Sequence, residues 1–268
     1  MSDTMENLER AALRSLHEAA DEALKEKLGL AMHGIGGALV SVAGALPASA
    51  IVVNRTHGLG LATPASRNDV KAIAALYRKA GVQRYFVHRH PRSQPAELPD
   101  WLTAAGLEKA RGWMKFTRGA EPPPERKTDL TIREIGPEHG LAFGRIAAGA
   151  FDLGEQAAPW IARLAGHPGW RLFMSFSGEE PAGTGALYVM DGIAWCDWAS
   201  TVPAFRRRGG QGALLAHRIR EAIDMGCRRL GTATGEEIPG APQHSYANIL
   251  RMGFKEAYIR ENYAPPRR

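Results

Sequence analysis

Cysteine is nearly absent from this chain and acidic residues are in deficit. Its 268 residues include two cysteines, Cys196 and Cys227, and 28 Asp and Glu against 34 Lys and Arg, a net charge of +6 with His neutral. Two thiols cannot staple a chain of this size, so a disulfide framework is excluded and both read as reduced thiols of a cytoplasmic protein. A clean membrane-spanning run is also missing. The longest charge-free stretch, Leu28 to Asn54, is interrupted by Gly29, Gly34, Gly36, Gly37, Gly44 and Pro47 and carries His33 and Ser49, so no membrane association is expected. A secretory leader is not expected, because Asp3, Glu6 and Glu9 stand where such a leader needs positive charge. Neither nucleotide fingerprint is present in a strand-to-helix context. None of the nine histidines stands at ligand spacing to Cys or an acid, so no metal is expected and His217 and His244 read as surface or capping residues. The mild basic excess favours an anionic partner but falls short of a nucleic-acid-binding tail.

What is present is ample apolar material, 44% of residues, enough for two ordinary cores at roughly 150 residues per domain. Residues Arg118 to Asp129 read RGAEPPPERKTD. Three consecutive prolines flanked by charge support neither helix nor central strand, which divides the chain into domains at 1–120 and 128–268. In the first, apolar positions Leu8, Ala12, Leu16, Ala20 and Leu24 predict one amphipathic helix from Thr4 to the stop at Gly29. Strands are predicted at Ala38–Ala43 and Ile51–Asn54, then a helix over Ser66–Ala80, a strand over Val82–His88, a short helix over Pro99–Ala105 and a strand over Gly112–Thr117. In the second, a strand at Leu130–Glu134, helices over Pro137–Ala150 and Glu155–Ala165 and a strand at Arg171–Ser177 precede a hairpin. Its arms, Gly185–Met190 and Ile193–Ser200, are joined by Asp191-Gly192, a strong two-residue turn signal. A helix over Gln211–Met225, a strand over Arg228–Thr234, a short helix over Gln243–Arg251 and a strand near Glu256–Arg260 complete the pattern. Gly81-Val82-Gln83-Arg84-Tyr85 aligns with Gly226-Cys227-Arg228-Arg229-Leu230 at an offset of 145 residues, and Gly106 with Gly253 at 147. That offset fits a duplicated domain rather than a solenoid, with chance agreement of two helix-strand units as the alternative. The fold class is α/β: two related copies, each a twisted mixed sheet flanked by helices.

The most specific segment is Trp198 to Leu215, WASTVPAFRRRGGQGALL. A strand runs out at Val202, Arg206, Arg207 and Arg208 follow, and Gly209, Gly210 and Gly212 lead into a helix. Glycines allow successive backbone N–H groups to converge without a Cβ in the way, and a helix N-terminus adds partial positive charge. This is an anion cradle, better suited to a diphosphate than to nucleic acid.

Arg207-Arg208-Gly209-Gly210-Gln211-Gly212 resembles the pyrophosphate signature [QR]-x-x-G-x-[GA] of the GNAT superfamily of acyl-CoA-dependent N-acetyltransferases. Val202-Pro203 and Phe205-Arg206 are similar to that family's lead-in, and Gly253-Phe254 to its closing pair. The likeness covers about 130–263. The corresponding first-half loop, Gly60-Leu61-Ala62-Thr63-Pro64-Ala65, has neither the arginines nor the glycine cluster, so the whole resembles a tandem GNAT protein with a degenerate N-terminal copy.

The resemblance implies acetyl-CoA as co-substrate and direct attack by an amine, more readily a small molecule than a protein, with no covalent enzyme intermediate. Ser200, Thr201 and Val202 would border the thioester and pantetheine arm, and Arg207, Arg208, Gly209, Gly210, Gln211, Gly212 and Ala213 would hold the pyrophosphate. Ser245 and Asn248, three apart on a short helix, would touch the pantetheine or phosphate arm, helix capping by Ser245 being the rival. Ile249 occupies the position where many members carry a tyrosine acid. Tyr246, one turn earlier, is the substitute acid, or else an aromatic core residue, and Asp197 is the candidate base, or else a salt-bridged carboxylate. Trp195 and Trp198, three apart on a strand, should face opposite sides, packing the core or walling the acceptor pocket. Phe151 or Asp152 would border that pocket if they do not simply form a turn. The alternative function is a catalytically silent acyl-CoA sensor or scaffold. The oligomeric state stays open.

Overall fold

A computed structural model describes residues 2–241 and 243–267. Its helices are α1 Ser2–Glu18, α2 Glu22–Leu28, α3 Arg67–Lys79, α4 Leu98–Ala104, α5 Pro137–Ala150, α6 Ala158–Ala162, α7 Gly210–Asp224 and α8 His244–Arg251. Its strands are β1 Leu30–Ile35, β2 Ala38–Ala43, β3 Arg55–His57, β4 Phe86–Arg89, β5 Glu108–Arg118, β6 Thr131–Ile135, β7 Trp170–Ser177, β8 Glu180–Met190, β9 Ile193–Thr201, β10 Arg229–Gly235 and β11 Lys255–Ala264.

All eleven strands form one sheet in the order β1-β2-β3-β4-β11-β5-β10-β9-β8-β7-β6. The order places the last strand of each half inside the other. β5 pairs antiparallel with β10, β11 pairs antiparallel with β4, and the two exchanged strands pair with each other. The proline-rich connection 119–130 therefore separates the halves along the chain while the sheet runs through undivided. Each half also holds one parallel pair that barely touches. β3 and β4 share the pairs Arg55–Phe86 and Thr56–Val87, and β9 and β10 share Ile193–Arg229, Ala194–Leu230 and Trp195–Gly231 before they part.

Strand alternation divides the core between the sheet's two faces. On β2, Leu39 and Ala43 pack toward a core built with α1, α5 and α6, whereas Ala38, Val40 and Val42 pack toward α3 and α4. The second-half counterpart of that latter core lies under α7 and α8, with Leu214, Ile219, Ile249 and Phe254. The first of these cores spans both halves. α1 lies across the second half, accepting a bond from Trp160 Nε1 at the Leu16 carbonyl (2.7 Å) and one from Trp170 Nε1 at Ser15 Oγ (3.1 Å).

Three expectations change. The single N-terminal helix is two, because Asp21 caps a new helix by accepting from the Leu24 N–H at 2.9 Å. The charge-free stretch contains β1, a partly exposed strand hairpinned to β2 through Gly36 and Gly37. Residues 51–54, predicted as a strand, are turn, and the strand is Arg55–His57, whose polar side chains are buried by ionic partners described below. Among the described residues no helix is long and apolar enough to cross a membrane.

Candidate functional site

The Arg-Gly loop closes on α7 in a defined shape. Arg207 and Gly209 both take left-handed backbone conformations, with φ of +64° and +78°. Gly209 stands at the N-cap without a side chain to bond the helix start, and the N–H groups of Gly210, Gln211 and Gly212 have no acceptor among the described residues. The three glycines differ in what they allow. A Cβ at Gly209 would stand 2.5 Å from the Lys127 carbonyl and one at Gly210 would stand 2.8 Å from Leu130 Cδ1, whereas at Gly212 the nearest atoms, on the Arg126 side chain, are at 3.5 Å. Gly209 and Gly210 thus let the loop pack against the inter-half connection, and Gly212 has room for a Cβ in ordinary contact with the Arg126 side chain. Arg206 and Arg207 are exposed and have no ion-pair partner among the described residues. Arg208 is committed elsewhere, to Asp129 and to Ser177 Oγ at 3.1 Å. Uncapped donors and two unpaired guanidinium groups at one helix start are the donor set that a pyrophosphate needs, so the cradle fits coenzyme A.

Beside the loop, β9 is kinked. Its register with β8 shifts between the pairs Thr184–Ser200 and Ala186–Asp197, leaving an extra residue, and Trp198 sits at φ +49°. A bulky residue there costs on the order of 1–3 kcal/mol and persists only when surroundings impose it. Here they do. The Trp198 N–H donates to Asp197 Oδ1 (2.8 Å), the Trp198 carbonyl accepts from Thr184 Oγ1 (2.9 Å), and Thr184 Oγ1 also meets Ser200 Oγ (2.6 Å). From α7, the wholly buried Arg218 reaches across to donate to the carbonyls of Asp197 and Ala186, both at 3.1 Å. Gly185 makes room for it, since a Cβ there would lie 2.8 Å from Arg218 Nε. Among the described residues no carboxylate pairs with this guanidinium. Its acceptors are the bulge carbonyls and the Leu214 carbonyl.

The bulge resets the strand's alternation. Trp195 and Trp198 were expected on opposite faces, yet both line one partly open cavity of about 230 Å³ between α1 and β9, because the extra residue turns Trp198 back to the side of Trp195. Asp197 lines the same cavity, accepting from Trp195 Nε1 at 3.2 Å. Burial raises its pKa, opposed by the Arg55 guanidinium. Phe151 also lines the wall, its ring edge-on to Trp198 at 5.3 Å, while Asp152 is a turn residue at φ +52°.

Around this site the remaining sequence candidates are placed as follows. Ser200 is buried, and its carbonyl accepts from Gln211 Nε2. Thr201 is half-buried and the Val202 N–H donates to the Ala182 carbonyl. Ala213 lies in the first turn of α7. Ser245 is exposed, and Asn248 Oδ1 accepts from Arg251 at 3.1 Å. Tyr246 does not line the cavity. Its hydroxyl donates to Glu256 and its ring packs edge-on against Phe116 at 4.9 Å.

Sequence reasoning missed the first half's contribution. Glu9 of α1, Arg55 of β3 and Trp113 of β5 line the cavity, and behind them lies a buried ionic cluster. Arg260 of β11 bonds Glu9 (2.8 and 3.0 Å), Glu6 (3.1 and 3.3 Å) and His57 Nε2 (3.1 Å). Arg55 pairs with Glu9 at 2.7 Å, Lys115 also pairs with Glu9, and Tyr258 donates to Glu6 at 2.6 Å. Burial acts to raise both carboxylates, but Arg260, Lys115 and His57 outweigh it and hold them well below the usual range. Burial and the Arg260 charge push Lys115 down to about 8. Glu6, Glu9 and His57 offer ligand atoms within 4.8 Å of one another, as a metal site would, but the Arg260 guanidinium bonds all three. The available signal was the position of Glu9 on the α1 stripe with Met5, Ala12 and Leu16, a carboxylate on a face otherwise apolar.

A sheet made of two halves that exchange their last strands, each with one diverging parallel pair, and an Arg-Gly loop entering the second half's helix decide the architecture. The fold is that of the GNAT superfamily, in its tandem form. The chain superposes on a GCN5-related N-acetyltransferase from Kribbella flavida with a TM-score of 0.60 at 16% identity, covering 95% of this chain and 96% of that one. A GCN5-related N-acetyltransferase from Sphaerobacter thermophilus gives 0.61 at 16% identity, covering 91% and 84%. A tandem GNAT protein from the clavulanic acid biosynthesis pathway gives 0.52 at 15% identity, covering 74% and 68%. No protein-family model matches the chain, and no curated protein sequence does. At this distance in sequence the kinship of the tandem GNAT structures is one of fold, and the residues of the site must speak for its chemistry.

Proposed function

We propose that this tandem GNAT protein is an acyltransferase that moves an acetyl group from acetyl-CoA to the amine of a small molecule by direct attack. The observation that carries the reading is the juxtaposition of an uncapped, arginine-flanked helix start at α7 with a bulged β9 whose Asp197 lines a partly open cavity. Acetyl-CoA supplies the activated thioester. Arg206, Arg207 and the N–H groups of Gly210 to Gly212 hold its pyrophosphate. Val202 and Thr201, continuing β9 into the loop, border its arm.

The acceptor enters the cavity between the halves, beside α1 and the tryptophans. An amine arrives protonated at neutral pH and must lose a proton before it attacks, and Asp197 is placed to take it. Burial brings this carboxyl closer to the pH of its task. The bulge, clamped by Thr184 and Arg218, holds backbone in a fixed orientation beside the site, the arrangement by which preorganised dipoles meet developing charge at little reorganisation cost. Holding the two substrates together supplies much of the remaining acceleration.

Thiol release from acetyl-CoA across an amine panel tests the reading, with calorimetry of coenzyme A binding alongside. Turnover with at least one amine is expected. The dependence of kcat/KM on pH should fall as pH drops through the raised pKa of Asp197, since only the ionised carboxylate accepts the proton, and Asp197→Asn should remove that limb. Coenzyme A binding without thiol release from any amine would instead assign the protein as a silent acyl-CoA sensor.

A further inference from the structure

The cavity's lining says more about its occupant than that it is an amine. Four of the chain's six tryptophans, Trp113, Trp170, Trp195 and Trp198, face it, and Ala12 and Leu13 of α1 close the far side. Two carboxylates reach it. Glu9 is already bonded by Arg55, Lys115 and Arg260. Among the described residues Asp197 has no ion-pair partner, and it accepts from Trp195 and Trp198. The cavity thus offers one unneutralised carboxylate set among aromatic faces, which also attract a cation. Arg55, facing the same space, disfavours a second positive charge.

Size narrows the choice. At about 230 Å³ the cavity lies below the roughly 300–1,000 Å³ of sites for drug-sized ligands. An apolar cavity of about 150 Å³ holds benzene. The difference leaves room for a short arm bearing one polar group.

Resting on the acyltransfer reading for its chemistry, we propose that this cavity selects a primary amine with a single positive charge and one aromatic ring on a short alkyl arm, the ring between the tryptophans and the ammonium on Asp197. In the transfer the ammonium gives one proton to the Asp197 carboxylate, its nitrogen forms the bond to the acetyl carbon, the bond from that carbon to sulfur breaks, and the second proton leaves the nitrogen for the departing sulfur, so that the products are the neutral amide and the coenzyme as free thiol. Polyamines are disfavoured by the Arg55 charge, and lysine side chains of peptides lack the ring that the tryptophan faces would pack against.

Tryptophan emission reads occupancy directly, because most of the chain's tryptophans line the site. The full-length protein, saturated with coenzyme A, is titrated with 2-phenylethylamine, spermidine and a lysine-containing peptide, and thiol release from acetyl-CoA is measured with the same three. The expected result is a saturable emission change with 2-phenylethylamine and a kcat/KM at least about tenfold above the other two. Asp197→Asn should weaken 2-phenylethylamine binding at least about tenfold, and Ala12→Met, which fills the cavity from α1 without touching a carboxylate, should weaken it similarly. Saturable binding of 2-phenylethylamine with no thiol release from any amine would sink the acyltransfer reading and keep the ligand class. Thiol release with spermidine or peptide, and no emission change with 2-phenylethylamine, would overturn the ligand class and keep acyl transfer. Unchanged affinity in both variants would overturn the placement of the ligand in this cavity.

Discussion

The starts of α3 and α7 occupy corresponding places in the two halves and are built to opposite ends. At α3, Ser66 Oγ accepts from the Asp69 N–H (3.1 Å) while the Asp69 carboxylate takes the Ser66 N–H (2.7 Å), a reciprocal capping box. The loop before it is filled by the backbone of Gln94, which exchanges bonds with Gly60 and Ala65. At α7 the cap is a glycine and the first-turn donors are left for something else. The diverging strand pairs follow suit. Beyond the last β3–β4 pair, His57 and His88 pack ring to ring at 5.1 Å beside Arg260, whereas beyond the last β9–β10 pair, Thr234 and Gly235 border a cavity. One copy has satisfied its own backbone and closed its gap with side chains. The other has left both open, and the open donors and open gap are what a ligand can use. The closed copy is not idle, because its strands and α1 supply a wall of that cavity and the ionic cluster behind it.

The contrast can be broken at its most costly point by Arg260→Met. This strands Glu6 and Glu9 as buried carboxylates short of a partner, which costs about 3–5 kcal/mol, measurable by urea denaturation. The parent should also lose stability in acid. Both carboxylates have lowered folded-state pKa values, so their contribution is present above the ordinary carboxylate range and is lost as pH falls through the lowered values.

Next in size is Gly212→Asp, which puts a carboxylate at the open helix start where space exists for it. Two like charges near 4 Å at intermediate dielectric repel by about 4 kcal/mol, reduced by screening to about 3 kcal/mol. Coenzyme A affinity should drop on the order of a hundredfold by calorimetry, with the thermal midpoint kept. Unchanged affinity would place the pyrophosphate elsewhere.

A smaller effect belongs to Arg218→Met, which releases the carbonyls of the β9 bulge. Turnover should fall about tenfold, roughly 1.4 kcal/mol, with KM for acetyl-CoA held, because the guanidinium acts on the bulge and not on the cradle. Equal losses in kcat and in coenzyme affinity would make it a general packing residue.

The smallest change is on the closed side. Ser66→Ala should cost about 1 kcal/mol of stability and leave coenzyme A binding untouched. Pairing it with Asp69→Ala uncaps α3, and if the first half then binds coenzyme A, capping alone separates the two copies.

Much of this was readable in one dimension. The glycine-rich entry to α7, the Asp191-Gly192 turn, the α3 cap at Ser66 and the buried run of β2 depend on neighbours within a few residues, where backbone sterics and local hydrogen bonds decide the outcome. The errors fell where distant partners intervene. Arg55-Thr56-His57 looks like loop because its polar side chains need burial partners 46 or more residues away, such as Glu9 and Arg260. Trp195 and Trp198 obey strand alternation until a bulge imposed by Thr184 and Arg218 breaks it.

By itself the sequence determined the α/β class and which half enters a helix through an Arg-Gly loop, because both rest on local glycine, proline and charge patterns. The tertiary structure alone decided that the copies exchange their last strands, that α1 of the first half roofs a cavity in the second, and that one carboxylate there stands without a cation. Those facts turn on which side chains meet across the sheet, and contact between distant residues is fixed by packing and charge pairing that no short window of sequence contains.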